Sequence, residues 1–214
     1  MTEDAQYRYW AFISYSRSDA RVARRLVQEL KSQRVPKDMR QEVRGASSHF
    51  EDIFLDTSDA GADHSLAGEL EEALAASRRL IVICSPFSAQ SGPVADEIRY
   101  FQKAGRAADI LCLIASGHPD APAQGKPQLD CFPAPFRESP QLPLAAAIGQ
   151  ESKEEWKHAA VQLAAGLAGV SLGVFAVCLV SYELLIRHSF MGRWLNGRRV
   201  PWRRKTTPAL VPAE

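Results

Sequence analysis

Two short runs of this sequence are apolar without interruption. They are Leu80-Ile81-Val82-Ile83-Cys84 and Ile110-Leu111-Cys112-Leu113-Ile114. A strand with one face in water alternates apolar and polar side chains, whereas a strand covered on both faces does not. The two runs therefore predict central strands of a parallel sheet, which restricts the chain to an α/β architecture.

The surrounding segments continue this architecture. Further strands are expected at residues 9–15, 53–55 and 142–148, and apolar residues recur at helical spacing near 22–30, 66–74, 94–101 and from 154 onward. Ser18 or Asp19 can cap the first helix. Residues 34–50 and 117–143 are predicted to be irregular. Strands that alternate with helices imply crossover connections with helices on both faces of the sheet.

Composition excludes several classes of protein. The 214 residues carry 26 Lys and Arg against 25 Asp and Glu, a formal charge of +1, which argues against a generally basic nucleic-acid-binding protein. The four cysteines lack the paired spacing of a zinc module or a disulfide scaffold, so no metal is predicted. The polar N-terminus has no apolar signal-peptide core, and we expect the domain to begin in the cytosol.

The carboxyl ends of parallel strands are where such sheets bind ligands. Here those ends carry Ser14-Tyr15-Ser16, Asp56-Thr57-Ser58 and Ser85-Pro86. The acidic residues of a phosphoacceptor domain are missing from the first and third ends. Dinucleotide-binding, P-loop and nucleophile-elbow motifs are absent as well.

Glu97 follows Ser85 in the first or second turn of the next predicted helix. A carboxylate at this position could stabilise an oxocarbenium-like sugar centre, as in glycosidic chemistry. The same carboxylate could instead only favour the positive end of the helix dipole. The spacing alone leaves both interpretations open.

The strand-end motifs resemble those of Toll/interleukin-1 receptor (TIR) domains. Phe12-Ile13-Ser14-Tyr15-Ser16 resembles the first box of that family. Ile53 through Ser58, with Gly61 and Ser65-Leu66, is similar to the second box and its loop. Leu80 through Pro86, with Ser88, Ser91 and Glu97, is similar to the third strand and following helix of bacterial members. The resemblance covers residues 8–150 and implies a flavodoxin-like parallel sheet with helices on both faces.

The resemblance also implies a function. Many such domains hydrolyse or cyclise NAD+ and release nicotinamide in signalling or defence, and they are active on self-association. It implies a catalytic role for Glu97 and NAD+ as substrate, with no further cofactor and no metal. The implied NAD+-contacting residues are Phe12, Ser14, Tyr15, Ser16, Asp56 and Ser85. Bacterial enzymes of the family often carry Trp four residues before the Glu, and Pro93 occupies that position here. Either another aromatic residue replaces the Trp, or NAD+ affinity is weak, or the chain is a non-enzymatic scaffold that assembles TIR domains.

The C-terminal region is apolar and then basic. Residues 159–180 include only Gln162 and Ser171 as strongly polar members, and the tail 187–214 carries seven Lys and Arg. We expect a hydrophobic helical segment over 154–186. It could span a membrane at 159–180, form the last helix of the domain at 154–172, or lie on a membrane surface with the tail on anionic lipid. Length and apolarity favour the spanning helix, but the positive-inside rule would then place the basic tail in the cytosol and the TIR domain outside, away from NAD+. A helix on the cytosolic membrane surface removes this conflict. We expect a cytoplasmic TIR domain in contact with membrane lipid, and no nucleic-acid partner. A third function, a membrane effector that perturbs bilayers, also remains open.

Overall fold

A computed structural model describes residues 7–55, 64–139, 143–149 and 152–169 of the chain. The strands are β1 Tyr9–Ser14, β2 Ile53–Leu55, β3 Ser77–Cys84, β4 Ile110–Ile114 and β5 Leu144–Ala147. The helices are α1 Ala20–Lys31, α2 His64–Ala75, α3 Gly92–Lys103, α4 Ala134–Glu138 and α5 Lys153–Leu167.

The five strands form one parallel sheet in the order β2-β1-β3-β4-β5. This is the flavodoxin-like order, so the predicted fold class is confirmed. The pairing of Leu80 with Ile110 and of Cys84 with Ile114 places the two apolar runs side by side. They lack polar alternation because each has one neighbouring strand on either side and helices over both faces.

Two apolar clusters cover the two faces of the sheet. The first lies between the sheet and helices α1 and α5, and includes Trp10, Leu26 and Trp156. The second lies beneath α2, α3 and α4, and includes Phe12, Ile98 and Phe136. From Ala11 to Ile13 the side chains of β1 alternate between them, as Ala11 and Ile13 pack in the first cluster and Phe12 in the second.

The segment 34–50 contributes more to the core than its polar composition indicates. It contains a 3-10 helix over Lys37–Glu42, and it buries Val35, Met39 and Val43 in the first cluster. Phe50 is fully buried, and its ring meets Trp10 edge to face at a centroid distance of 5.3 Å. Single apolar residues spread through a polar segment give no periodic signal, so this packing could not be predicted from the sequence.

The predicted loop 117–143 also contains structure. A 3-10 turn covers Pro127–Leu129, and α4 follows Pro133. Pro135 and Phe136 of α4 are buried, and the Phe132 and Phe136 rings meet at 5.6 Å. A helix of five residues is too short to produce a recognisable 3.6-residue period.

The apolar C-terminal stretch begins as a helix of the domain. Helix α5 buries Ala159, Leu163 and Leu167 against the sheet, while Lys157, Val161 and Gln162 are exposed. Gly166 permits this approach, since a Cβ there would lie 2.9 Å from Leu111 Cδ2. This arrangement corrects the predicted transmembrane helix at 159–180. Its first residues are apolar because they face a protein core, as the competing prediction for 154–172 requires.

Within the described residues, the sheet and its helices continue to Leu167 at the end of α5. Among the helices of the described residues, none combines the length and the apolarity that a bilayer span requires. The rest of the predicted hydrophobic segment and the basic tail lie outside the described residues.

The amino-terminal edge of the sheet is closed by arginines. Arg106 donates to the carbonyls of Ser77 and Arg78 at 2.8 and 2.7 Å, and its guanidinium lies 4.3 Å from the Phe101 ring centroid. Arg78 pairs with Glu42, and Arg79 pairs with Asp109. These arginines have partners inside the fold, which leaves the opposite, carboxyl-terminal edge as the place for a binding site.

Candidate functional site

Ser14 is the last residue of β1, at the carboxyl-terminal edge of the sheet. It is 1% exposed, and its hydroxyl has no hydrogen-bond partner among the described residues. Strand alternation places it on the same side of the sheet as Phe12, beneath α2 and α3. A buried hydroxyl without a partner costs about 1–3 kcal/mol. An unsatisfied buried hydroxyl of this kind requires an explanation, such as a bound water, an ion or a ligand.

Glu97 is half-buried and is the sixth residue of α3, about 8 Å along the helix from its start. At about 100° per residue, it lies roughly 60° around the helix from the buried stripe of Val94, Ile98 and Phe101. It is therefore on the flank of that stripe, neither in the core nor on the outermost surface.

The contacts of α3 show which way this flank faces. On the opposite flank, the Gln102 amide donates to the Pro135 carbonyl at 3.1 Å, and Arg99 lies 3.8 Å from Glu138. Both partners belong to α4, on the β4 and β5 side of the helix. Because β1 lies on the other side of β3, the Glu97 flank faces β1, whose last residue is Ser14. The fold thus places the predicted catalytic carboxylate and the predicted ligand-contacting Ser14, 83 positions apart in the sequence, on the same face of the sheet.

Ser85 follows β3 and is fully buried. Its hydroxyl donates to Asp19 Oδ2 at 2.6 Å and accepts from the amides of Phe87 and Ser88 at 3.2 and 3.1 Å. Ser88 Oγ in turn accepts from the Ser85 amide at 2.8 Å and donates to the Ser85 carbonyl at 3.0 Å. The Ser85 hydroxyl is thus used within the protein, where it holds the turn that leads into α3.

Asp19 also belongs to this network, although the sequence analysis predicted it only as a possible helix cap. It occupies the N-cap position of α1 but makes no side-chain capping bond. Asp19 is 7% exposed, and its carboxylate accepts a hydrogen bond from Ser85, which lies 66 positions later in the sequence. The only local signal is an Asp shortly after a strand, which capping explains equally well.

Burial raises the pKa of the Asp19 carboxyl above its ordinary value, and the hydrogen bond from Ser85 lowers it by less. The folded state therefore holds this proton more tightly than the unfolded state does. The stabilising contribution is complete below the ordinary value of 3.8 and is lost as the pH rises through the folded-state pKa.

We predict that Asp19→Asn removes this pH dependence. The Asn side-chain oxygen still accepts from Ser85 but carries no charge at any pH. In urea unfolding measured from pH 7 to pH 4, the wild-type protein should gain stability relative to the variant as the pH falls. A constant difference between the two proteins over this range would contradict the prediction.

The other predicted contact residues lie around these groups in different environments. Phe12 is 1% exposed and stacks on Phe54 at 5.2 Å, so it supports the site from the core. Tyr15 and Ser16 are half-buried, and Tyr15 packs against the first apolar cluster. Asp56 lies outside the described residues.

The aromatic side chains near α3 differ from those expected of related enzymes. Pro93 is exposed in the first turn of α3, where it suits a helix start but offers no indole ring. Phe87 is 58% exposed in the turn before α3, and its amide bonds Ser85. It is an aromatic surface at this edge that sequence reasoning missed.

Two buried thiols beneath this edge are poor nucleophiles. Burial raises the pKa of Cys112 well above its ordinary value and that of Cys131 to about 12, so both stay protonated near neutral pH. Within the described ranges, no group of three or more His, Cys, Asp or Glu side chains could hold a metal ion.

A family model described as the TIR domain matches residues 11–141, more than half of the 214-residue chain. No curated protein matches the chain. The matched region includes the ends of β1 and β3, the Asp19–Ser85 pair and Glu97.

Proposed function

Because this chain belongs to the TIR domain family, we propose that it cleaves NAD+ and releases nicotinamide, with Glu97 as the catalytic carboxylate. The observation that carries this proposal is the position of Glu97 on the flank of α3 that faces β1. A carboxylate on this flank, at the carboxyl-terminal edge of the sheet, suits a ribose, whose anomeric carbon becomes positively charged in the reaction.

The proposed reaction breaks the bond between the ribose anomeric carbon and the nicotinamide nitrogen. The bonding electron pair leaves with nicotinamide, which departs as a neutral ring, and positive charge develops at the anomeric carbon. The Glu97 carboxylate stabilises that charge electrostatically. Water then adds to the carbon and loses a proton to give ADP-ribose, or an adenine nitrogen of the same molecule closes a ring.

In this scheme Tyr15, Ser16 and Asp56 contact the substrate directly. Phe12, Ser14 and Ser85 act from beneath the site, because all three are buried, and Ser85 already has hydrogen-bond partners. Phe87 supplies an exposed ring for a base to pack against, in place of the Trp that related enzymes carry. We propose NAD+ as a substrate only, with no further cofactor.

The direct test is to incubate the full chain with NAD+ at increasing protein concentration and to quantify nicotinamide, ADP-ribose and cyclic ADP-ribose chromatographically. We expect the rate of nicotinamide release to rise more steeply than the protein concentration, since the proposed enzyme is active when it self-associates. No release at the highest concentration would remove the enzymatic proposal.

The second candidate is a scaffold that assembles TIR domains without chemistry. The exposed Pro93 favours it, because this residue leaves the first turn of α3 without an aromatic ring. A scaffold predicts concentration-dependent assembly with no loss of NAD+. The incubation above, combined with light scattering on the same samples, distinguishes the two functions.

We also propose that the C-terminal region holds the domain at a membrane surface in the cytoplasm. With residues up to 167 in α5, the apolar residues that remain run from 172 to 186, shorter than the roughly 20 residues of a spanning helix. The basic tail suits anionic lipid. Flotation of the full chain with phosphatidylserine vesicles, but not with neutral vesicles, is the expected result.

A further inference from the structure

The outer side of α1 is basic. Arg21, Arg24 and Lys31 are exposed, and their spacing of three and seven residues places them along one stripe of the helix, which we call the basic stripe. The sequence around it is basic as well, because residues 17–44 hold nine Lys and Arg against four Asp and Glu. The chain as a whole is nearly neutral, but this segment therefore carries an excess of positive charge.

The outer side of α2 is acidic. Glu69, Glu71 and Glu72 are exposed there, and we call them the acidic face. Residues 51–77 hold eight Asp and Glu and no Lys or Arg. Eight of the 25 acidic residues of the chain thus lie in one segment that contains no basic residue.

These two surfaces lie on opposite layers of the sheet. Helix α1 packs Leu26 and Leu30 into the first apolar cluster, whereas α2 packs Ala73 and Leu74 into the second. They cannot neutralise each other within one molecule. None of the six side chains forms an ion pair in the part of the chain that the structure describes, where ion pairs occur elsewhere.

We propose that copies of this chain associate head to tail, with the basic stripe of one copy against the acidic face of the next. Both helices are twelve residues long, about 18 Å, so the surfaces match in length as well as in sign. Charge complementarity of this kind selects the partner and its orientation. Since each copy keeps one surface open, the contact is heterologous and extends into a linear assembly.

The test is a charge swap in the full chain, in a non-ionic detergent, followed by sedimentation velocity at low salt. The first variant is Arg21→Glu with Arg24→Glu, and the second is Glu71→Arg with Glu72→Arg. In each variant alone, the two surfaces that would meet carry charge of the same sign. We therefore expect the protein concentration at half-association to rise about tenfold or more. Lys126→Glu with Lys157→Glu is the control: it changes the net charge as the first variant does, at exposed positions outside both surfaces.

The decisive sample is an equimolar mixture of the two variants. Every contact between unlike copies then joins opposite charges, so association should return to near the wild-type concentration, and so should a single chain with all four substitutions. Added salt should weaken wild-type and restored assemblies alike.

Three results would overturn the proposal. The first is a wild-type chain that stays monomeric at all concentrations, and the second is a mixture that fails to associate. The third is that Arg21→Glu with Arg24→Glu weakens association while Glu71→Arg with Glu72→Arg does not. The last would assign the stripe to an anionic ligand such as RNA or lipid. Circular dichroism melts verify that every variant is folded. The readout is assembly, so it is independent of whether NAD+ is cleaved.

Discussion

The Glu97→Gln variant is expected to lose nicotinamide release by about a hundredfold or more while remaining folded. Gln has nearly the same shape as Glu but carries no charge, so it cannot stabilise a developing positive charge at the ribose carbon. Removing one well-placed electrostatic group from an active site typically costs a factor of this size. The comparison is made at saturating NAD+ and at one protein concentration, because the proposed activity depends on assembly.

The matched control is Asp96→Asn, one position earlier in the same helix. The Asp96 side chain is 78% exposed and lies 3.3 Å from Arg99 on the outer surface. This substitution also removes one carboxylate from α3, so the two variants share their change in net charge and in interaction with the helix dipole. We expect near wild-type release from Asp96→Asn. Full release from Glu97→Gln would show that Glu97 only stabilises its helix.

The Gly117→Ala variant is expected to lose about 3 kcal/mol or more of unfolding free energy. Gly117 follows β4 with φ of 80°, where a side chain is strained by roughly 1–2 kcal/mol. An added Cβ would also lie 2.5 Å from the Leu129 carbonyl oxygen and 3.0 Å from Cys131 Cβ. The first of these contacts is with backbone, so the loop itself must shift, at a cost of about 1–3 kcal/mol.

Gly125→Ala provides the comparison for this loop. Gly125 also has a positive φ of 72°, but nothing lies within 4 Å of the position its Cβ would take. Only the backbone strain remains, so we expect a loss of about 1–2 kcal/mol when both glycine variants are unfolded in urea and compared with the wild-type protein. Equal losses for the two variants would show that the close approach at Gly117 has no energetic effect.

The loss at Gly117 has a functional consequence as well. The third neighbour of its added Cβ is Pro86 Cδ at 3.2 Å, and Pro86 follows Ser85 directly. A shift of this loop therefore reaches the turn that precedes α3. We expect catalysis in Gly117→Ala to fall even at temperatures where the variant is folded.

The sheet was largely predictable because its signals are local. The apolar runs in β3 and β4 and the helical spacing in α1 are each contained in a dozen residues. Where the local signal is weak, the prediction was incomplete. Helix α4 has five residues, and Val35 and Phe50 are single apolar residues in polar surroundings, so their burial depends on partners distant in sequence.

The C-terminal helix shows the limit of apolarity as a signal. A stretch of Ala, Leu and Gly is equally compatible with lipid and with a protein core, because both exclude water. Trp156 and Leu163 pack in the first cluster, and the close approach at Gly166 is to Leu111 and Leu144 of the sheet. The residue composition of this segment therefore does not distinguish a helix in lipid from a helix in a protein core.

By itself, the sequence determined the α/β architecture, the position of Glu97 in the helix after the third strand, and the family motifs at the strand ends. These follow from residue order, since strand and helix periodicities are properties of neighbouring residues. Only the tertiary structure decided that Glu97 faces β1, that the Ser14 hydroxyl is buried without a partner among the described residues, and that Asp19 holds Ser85. Hydrogen bonding and burial act between groups brought together by folding, and 66 positions separate Asp19 from Ser85.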